Sequence, residues 1–143
     1  ITTHEIDTLS AEICVGMITS DPDYEILATR IVASNIQKTA PPRFSEAMRI
    51  LYEAGIVTEE IKRLAPTVDD IIDPERDFMF GYFGIKTLER GYLQKVKNVV
   101  LETPQYMYMR VSLGIHGEDV QAACETYHAM SSGACIHATP TLL

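Results

Sequence analysis

Tryptophan is missing altogether from this 143-residue sequence, and cysteine occurs only three times. Cys14, Cys124 and Cys135 are odd in number and irregularly spaced, with no C-x-x-C pair. That pattern excludes a disulfide scaffold and a structural zinc site. Reduced thiols fit a cytoplasmic location. Basic residues are also scarce: 12 Lys and Arg stand against 20 Asp and Glu, for a formal charge of −8. Such a chain repels a nucleic-acid backbone, so no nucleic-acid partner is expected, although a local group of cations can still hold a phosphate. No apolar run approaches the roughly 20 residues of a membrane span. Residues 1–20 carry Glu5, Asp7 and Glu12 and lack a basic leader, so neither a membrane partner nor a signal peptide is expected. Internal repeats and low-complexity segments are missing too.

What is present is the composition of a globular domain. Hydrophobic residues make up 46% and charged residues 22%, enough for a packed core in one domain. The ends, Ile1 and the apolar Leu142-Leu143, do not resemble polar linkers, which leads us to expect an excerpt of a longer chain.

Most of the chain reads as helix. Residues 8–19 carry Leu9, Ile13 and Met17 at helical spacing, with Asp7 or Thr8 as cap. Ser20-Asp21-Pro22-Asp23 breaks the pattern and starts a second helix over 23–38, with Tyr24, Leu27, Ala28 and Ile31 on one face. Pro41-Pro42 ends it. A third helix is predicted over 45–54, capped by Ser45 and closed by Gly55, with Met48, Leu51 and Tyr52 as its stripe. A short fourth runs over 58–65 from Thr58 to the stop at Pro66. Residues 67–77 are acidic and turn-rich. An aromatic knot follows at 78–83, then Gly84 and a helix or turn over 86–92.

Residues 104–113 pose a choice. Met107, Met109, Val111 and Leu113 alternate as in a strand. Thr103 before Pro104 is a helix start, and Gly114 fits a helix end. Helix is the reading adopted. A last helix runs behind Glu118-Asp119 with Val120, Ala123, Cys124, Tyr127 and Met130 on its face, and Gly133 ends it. Residues 134–139 are predicted to form a buried strand, with Pro140 at its end.

Some side chains invite a chemical reading. Cys124 and His128 stand at i, i+4, a spacing that presents two metal ligands, but no second pair accompanies them, and a buried structural cysteine is the expectation. Phe78, Phe80, Tyr82, Phe83, Tyr106 and Tyr108 read as core. His116 is expected to cap or pack. Thr139 and Thr141 flank Pro140 beside the predicted strand end. Their hydroxyls either cradle a phosphate or bond local backbone in an ordinary turn.

Six segments, in order, carry a resemblance. They are Asp7-Thr8-Leu9-Ser10-Ala11-Glu12; Asp21-Pro22-Asp23-Tyr24 with Ala33-Ser34-Asn35; Arg76-Asp77-Phe78; Tyr82-Phe83-Gly84-Ile85-Lys86-Thr87-Leu88-Glu89-Arg90; Thr103-Pro104-Gln105 with Met109-Arg110-Val111; and Gly114-Ile115-His116-Gly117-Glu118-Asp119 with His137-Ala138-Thr139-Pro140-Thr141-Leu142. Together they resemble the N-terminal part of the large chain of class I ribonucleotide reductases, of the eukaryotic and viral type.

The resemblance implies a mainly α segment in two parts. Residues 1–40 are similar to the C-terminal half of an ATP-cone, a helical module that senses ATP against dATP; the cone's first half has no counterpart here. Residues 41–143 are similar to the helical region leading into the first strand of a ten-stranded α/β barrel. Thr3, Asp7 and Lys38 match the cone's contacts to its allosteric nucleotide; read as residues alone, Thr3 and Asp7 are helix caps and Lys38 a dipole partner. A second basic position of the cone falls near Pro41. The residue at 139 matches a Ser or Thr that meets the substrate diphosphate, and Thr141 lies beside it.

The implied activity is radical reduction of ribonucleoside diphosphates to deoxyribonucleoside diphosphates. Implied partners are a small subunit holding a metal-based radical and a second large subunit. The reactive cysteines would follow Leu143, so the chain alone is expected to be inactive. Cys135 matches no family cysteine. The rival reading is a nonenzymatic helical module for nucleotide sensing or protein interaction.

Overall fold

The computed structural model describes residues 2–133. The chain is mainly α, as expected, with helices α1 (Thr3–Gly16), α2 (Asp23–Thr39), α3 (Phe44–Glu53), α4 (Glu59–Leu64), α5 (Tyr82–Gly91), α6 (Pro104–His116) and α7 (Val120–Ser131). Turns of 3-10 helix occupy Ala65–Val68 and Pro74–Met79. The described strands, β1 (Lys95–Val96) and β2 (Val99–Val100), pair antiparallel with Lys95 opposite Val100. No described helix is long and apolar enough to cross a membrane. The predicted strand over 134–139, and with it Cys135, Thr139 and Thr141, lies outside the described residues.

The helix starts follow local capping chemistry. α1 begins at Thr3, five residues earlier than its apolar repeat predicts, because Thr2 and Glu5 form a capping box. The Thr2 hydroxyl accepts from the Glu5 amide at 3.2 Å, and the Glu5 carboxylate accepts from the Thr2 amide at 2.6 Å. Asp7 and Thr8 are therefore inside the helix and do not cap it; Thr8 donates back to the His4 carbonyl. Thr58 and Thr103 cap α4 and α6 as their positions predict, and Asp119, read from the sequence only as part of an acidic start, caps α7. Ser45 does not cap α3. Its amide and hydroxyl both donate to Asp69, at 2.8 and 2.6 Å, so a carboxylate 24 residues away satisfies the first turn.

The helix ends show the same logic. Gly55, at φ +78°, closes α3: its successor Ile56 donates to the Leu51 carbonyl at 2.9 Å, the reach-back bond of a Schellman motif. Gly114 does not end α6. The helix continues to His116, and Gly117 at φ +58° terminates it. α5 likewise starts at Tyr82, so Gly84 is inside it. The β1–β2 turn, missed in the sequence, is Lys97-Asn98, both at positive φ, the backbone of a two-residue hairpin loop.

Among the described residues, two apolar clusters make the core. The first joins α3, α4, the Ala65–Val68 turn, α6 and α7 around Phe44, Met48, Leu51, Leu64, Met109 and Tyr127. Burying side chains such as Phe44 or Leu51 is worth about 1.5–3 kcal/mol each. The second joins α1, α2, α5 and Leu93 through Ala11, Val32, Ala33, Ile36 and Ile85. α6 serves both, since Met107 belongs to the second cluster and Met109 to the first. α6 is buried on every side over residues 104–113, with Gln105, Arg110 and Ser112 buried among the apolar positions. No single helical stripe therefore stands out, and Met107, Met109, Val111 and Leu113 read as strand alternation.

The face of α1 is opposite to the one its periodicity predicts. Small residues, Ala11 and Cys14, meet Ala28, Val32, Ala33 and Ile36 of α2 in a helical hairpin. The repeat Ile6, Leu9, Ile13 and Met17 faces outward, with Ile13 64% exposed. Ile26 and Leu27 of α2 are exposed as well. A period identifies a stripe; only a partner decides whether it is buried.

Candidate functional site

Buried polar groups hold the two clusters in register. Asp77 is fully buried in the Pro74–Met79 turn. Its carboxylate accepts from the Gln37 amide of α2 at 2.9 Å and from the Gln105 backbone N–H of α6 at 3.1 Å. Burial pushes its pKa up from 3.8 to about 6; the bonds from Gln37 and Gln105 pull the other way, and Asp73 adds to the rise. Tyr127 of α7 donates to Gln105 Oε1 and accepts from the Asp73 N–H, both at 2.9 Å. The fully buried Glu102 accepts from Arg110 Nε at 2.7 Å and from the Gln94 N–H at 2.9 Å. These contacts tie α2 to α6 and α7 through Asp77, Gln105 and Tyr127.

Just beside Gln37, the sequence-selected residues meet. Lys38 and Asp7 form an ion pair at 3.7 Å between α2 and α1. Both line a cavity of about 360 Å³ with Arg30, Ile31, Ser34 and Phe78. Its volume suits a small organic ligand. Its chemistry is mixed: two cations, a carboxylate, a hydroxyl and a half-buried aromatic ring. Cations recognise phosphate, a carboxylate and a hydroxyl bond ribose or base edges, and a ring stacks on a base. Thr3 precedes Asp7 by one helical turn and is exposed; it does not line the cavity.

Sequence reasoning missed Arg30, Ser34 and Phe78. The spacing of Arg30, Ser34 and Lys38, at i, i+4, i+8, was a signal that all three share one face of α2. Phe78 gave no such signal, since its place against α2 is set by the buried Asp77 next to it.

The remaining candidates resolve into packing. Cys124 is half-buried against the first cluster, and burial pushes its thiol pKa up, which disfavours the thiolate. His128 lies 3.3 Å from Arg76 and tilts against the Tyr127 ring. Among the described residues, no group of three or more His, Cys, Asp and Glu is placed to hold a metal ion. The Tyr106 hydroxyl donates to the Pro41 carbonyl at 2.8 Å, and burial with nearby carboxylates pushes its pKa up to about 12. Tyr108 stacks on Phe80. Phe83 departs from the expected knot: it is 68% exposed, while Phe78, Phe80 and Tyr82 pack on the second cluster. His116 Nε2 meets Thr126 Oγ1 at 2.6 Å and clasps the α6–α7 hairpin.

Comparison with known proteins finds relatives of this chain. A family model described as "Ribonucleotide reductase, all-alpha domain" matches residues 78–143. The ribonucleoside-diphosphate reductase large subunit of Caenorhabditis elegans is 43% identical across 99% of this chain, which covers 20% of that protein. The large subunit of Variola virus is 41% identical, and the large chain of Schizosaccharomyces pombe 42% identical, again across 99% of this chain and 20% and 19% of theirs. The chain thus spans about a fifth of the length of the curated relatives it matches. At 41–43% identity over 99% of its length, the chain is similar to the large subunits of ribonucleotide reductases from two eukaryotes and a virus.

Proposed function

We propose that this chain acts as part of the large subunit of a ribonucleoside-diphosphate reductase. In the intact enzyme it would help reduce ribonucleoside diphosphates to deoxyribonucleoside diphosphates. The observation that carries the reading is the identity of 41–43% to such large subunits over 99% of the chain. The partners in this reading are a small subunit that supplies a metal-based radical, a second large subunit, and the nucleoside diphosphate, whose phosphates Thr139 and Thr141 would meet.

Residues 1–40 would be the C-terminal half of the ATP-cone and 41–143 the helical region beyond it. Two features support that division. The α1–α2 hairpin has an uncovered apolar stripe, Ile6, Leu9, Ile13 and Met17, of the kind that packs on another part of a larger module. Asp7 and Lys38 meet at a cavity whose lining suits ATP or dATP as allosteric effectors. Thr3, one helical turn before Asp7 on α1, lies outside the described lining of that cavity. The Gln37–Asp77 bond then offers a physical route from an occupied cone to α6.

The test is a chimera in which this chain replaces the matching segment of the Caenorhabditis elegans large subunit, assayed with its small subunit. Reduction of a ribonucleoside diphosphate that changes when dATP replaces ATP is the expected result. Lys38→Ala should leave turnover in place and abolish the difference between the effectors. A chimera that folds but is inactive, or whose response ignores Lys38, would overturn the proposal. The isolated 143-residue chain should show no turnover.

A further inference from the structure

A second cavity opens on the other side of α2, where α2, α5 and the β-hairpin converge. Its volume is about 500 Å³. Lys86 and Arg90 reach it from one face of α5, at i, i+4, and Lys95 from β1. His4 stands at the rim, and Glu89 is the one carboxylate among its described lining residues. Lys86 pairs with Glu89 at 3.3 Å, and Lys95 Nζ donates to the Arg90 carbonyl at 3.2 Å, so both ammonium groups are held in place. Arg90 is exposed and makes no ion pair with a described residue. In a chain of net charge −8, this gathering of cations is local.

A buried side chain marks the floor. Asn35 is only 9% exposed, lines this cavity, and its amide makes no hydrogen bond to a described residue. Its amide, able both to donate and to accept, is open to the cavity and so available to a ligand. Ile36, Val99 and Val100 supply an apolar wall beside it.

We propose that this cavity binds an organic phosphate of mononucleotide size. Arg90, Lys86 and Lys95 take the phosphates, Asn35 bonds the polar edge of the organic part, and the valine wall covers its flat face. The site shares no lining residue with the one at Asp7 and Lys38, although Asp7 lies near His4, Asn35 and Lys86.

The experiment titrates the 143-residue chain with ADP, inorganic pyrophosphate and adenosine, and follows the Asn35 side-chain amide and the backbone amides of 95–100 by NMR. ADP and pyrophosphate should shift the 95–100 amides, ADP should also shift Asn35, and adenosine should bind much more weakly. Arg90→Ala with Lys95→Ala should weaken ADP binding by about tenfold or more, since each lost charge-assisted bond is worth roughly that much. Both residues lie outside the core, and circular dichroism checks the fold; Arg90→Lys should restore part of the affinity. Lys38→Ala should change this binding less than twofold, whatever it does to effector response in the chimera. No shift at millimolar ADP would overturn the proposal. So would adenosine binding as tightly as ADP, pyrophosphate binding without ADP binding, or a dependence on Lys38 instead of Arg90.

Discussion

Raising the pH from about 4 to about 7 carries Asp77 through its titration, and the fold should weaken as a result. The carboxyl is fully buried between Gln37 and Gln105, and its pKa rises from 3.8 to about 6 because burial penalises the charge. The folded chain therefore holds this proton more tightly than the unfolded chain. The resulting stabilisation is fully present below about pH 4 and is lost as the pH rises through about 6. A gap of about 2 pH units corresponds to about 3 kcal/mol. Other carboxylates titrate over the same range, so the assay is a difference. Denaturant unfolding is measured for the natural chain and for Asp77→Asn across that window. Asparagine cannot ionise, so the natural chain should lose about 3 kcal/mol relative to the variant between the acid and neutral ends. The absolute stability of Asp77→Asn is not the readout, because its amide must also share the Gln37 donor. Parallel curves for the two chains would refute the reasoning, since they would mean that the Asp77 carboxylate is ionised at little cost.

Two substitutions test other joints. Glu102→Ala removes the buried carboxylate to which Arg110 Nε donates at 2.7 Å and should cost about 3–5 kcal/mol, seen as a lower denaturant midpoint at unchanged slope. Thr2→Ala removes half of the α1 capping box and should cost about 1 kcal/mol, read as faster hydrogen exchange in the first turns of α1 with α7 unaffected.

Helix positions were legible in the sequence wherever the signal was local. Thr58, Thr103 and Asp119 sit immediately before the turns they cap, and Gly55 and Gly133 immediately after the helices they end. What failed depended on distant residues. Ser45 looked like a cap, but Asp69, far along the chain, provides the acceptor. The Leu9, Ile13 and Met17 repeat looked like a buried face, but alanines let α1 and α2 approach on the opposite side. The Thr2-x-x-Glu5 capping box was local and readable, and the stronger apolar repeat downstream concealed it.

The two cavities show why a site is harder to read than a helix. Asp7 and Lys38 came from a resemblance, and the geometry joins them because α1 and α2 fold back on each other through a short turn. Arg30 and Ser34 share the α2 face of Lys38, while Phe78 joins them from the turn whose Asp77 is bonded to Gln37. At the second cavity the separation is wider still. Asn35 is more than 50 residues from Arg90 and Lys95, and no spacing rule connects a helix interior to a hairpin strand. A net charge of −8 argues against anion binding only when the charges are averaged over the whole surface. A phosphate inside a cavity responds to the nearest few groups, because more distant charges are screened within roughly 10 Å by salt. Lys86, Arg90 and Lys95, set against the single carboxylate of Glu89 among the described lining, therefore weigh more at that point than the charge of the rest of the chain.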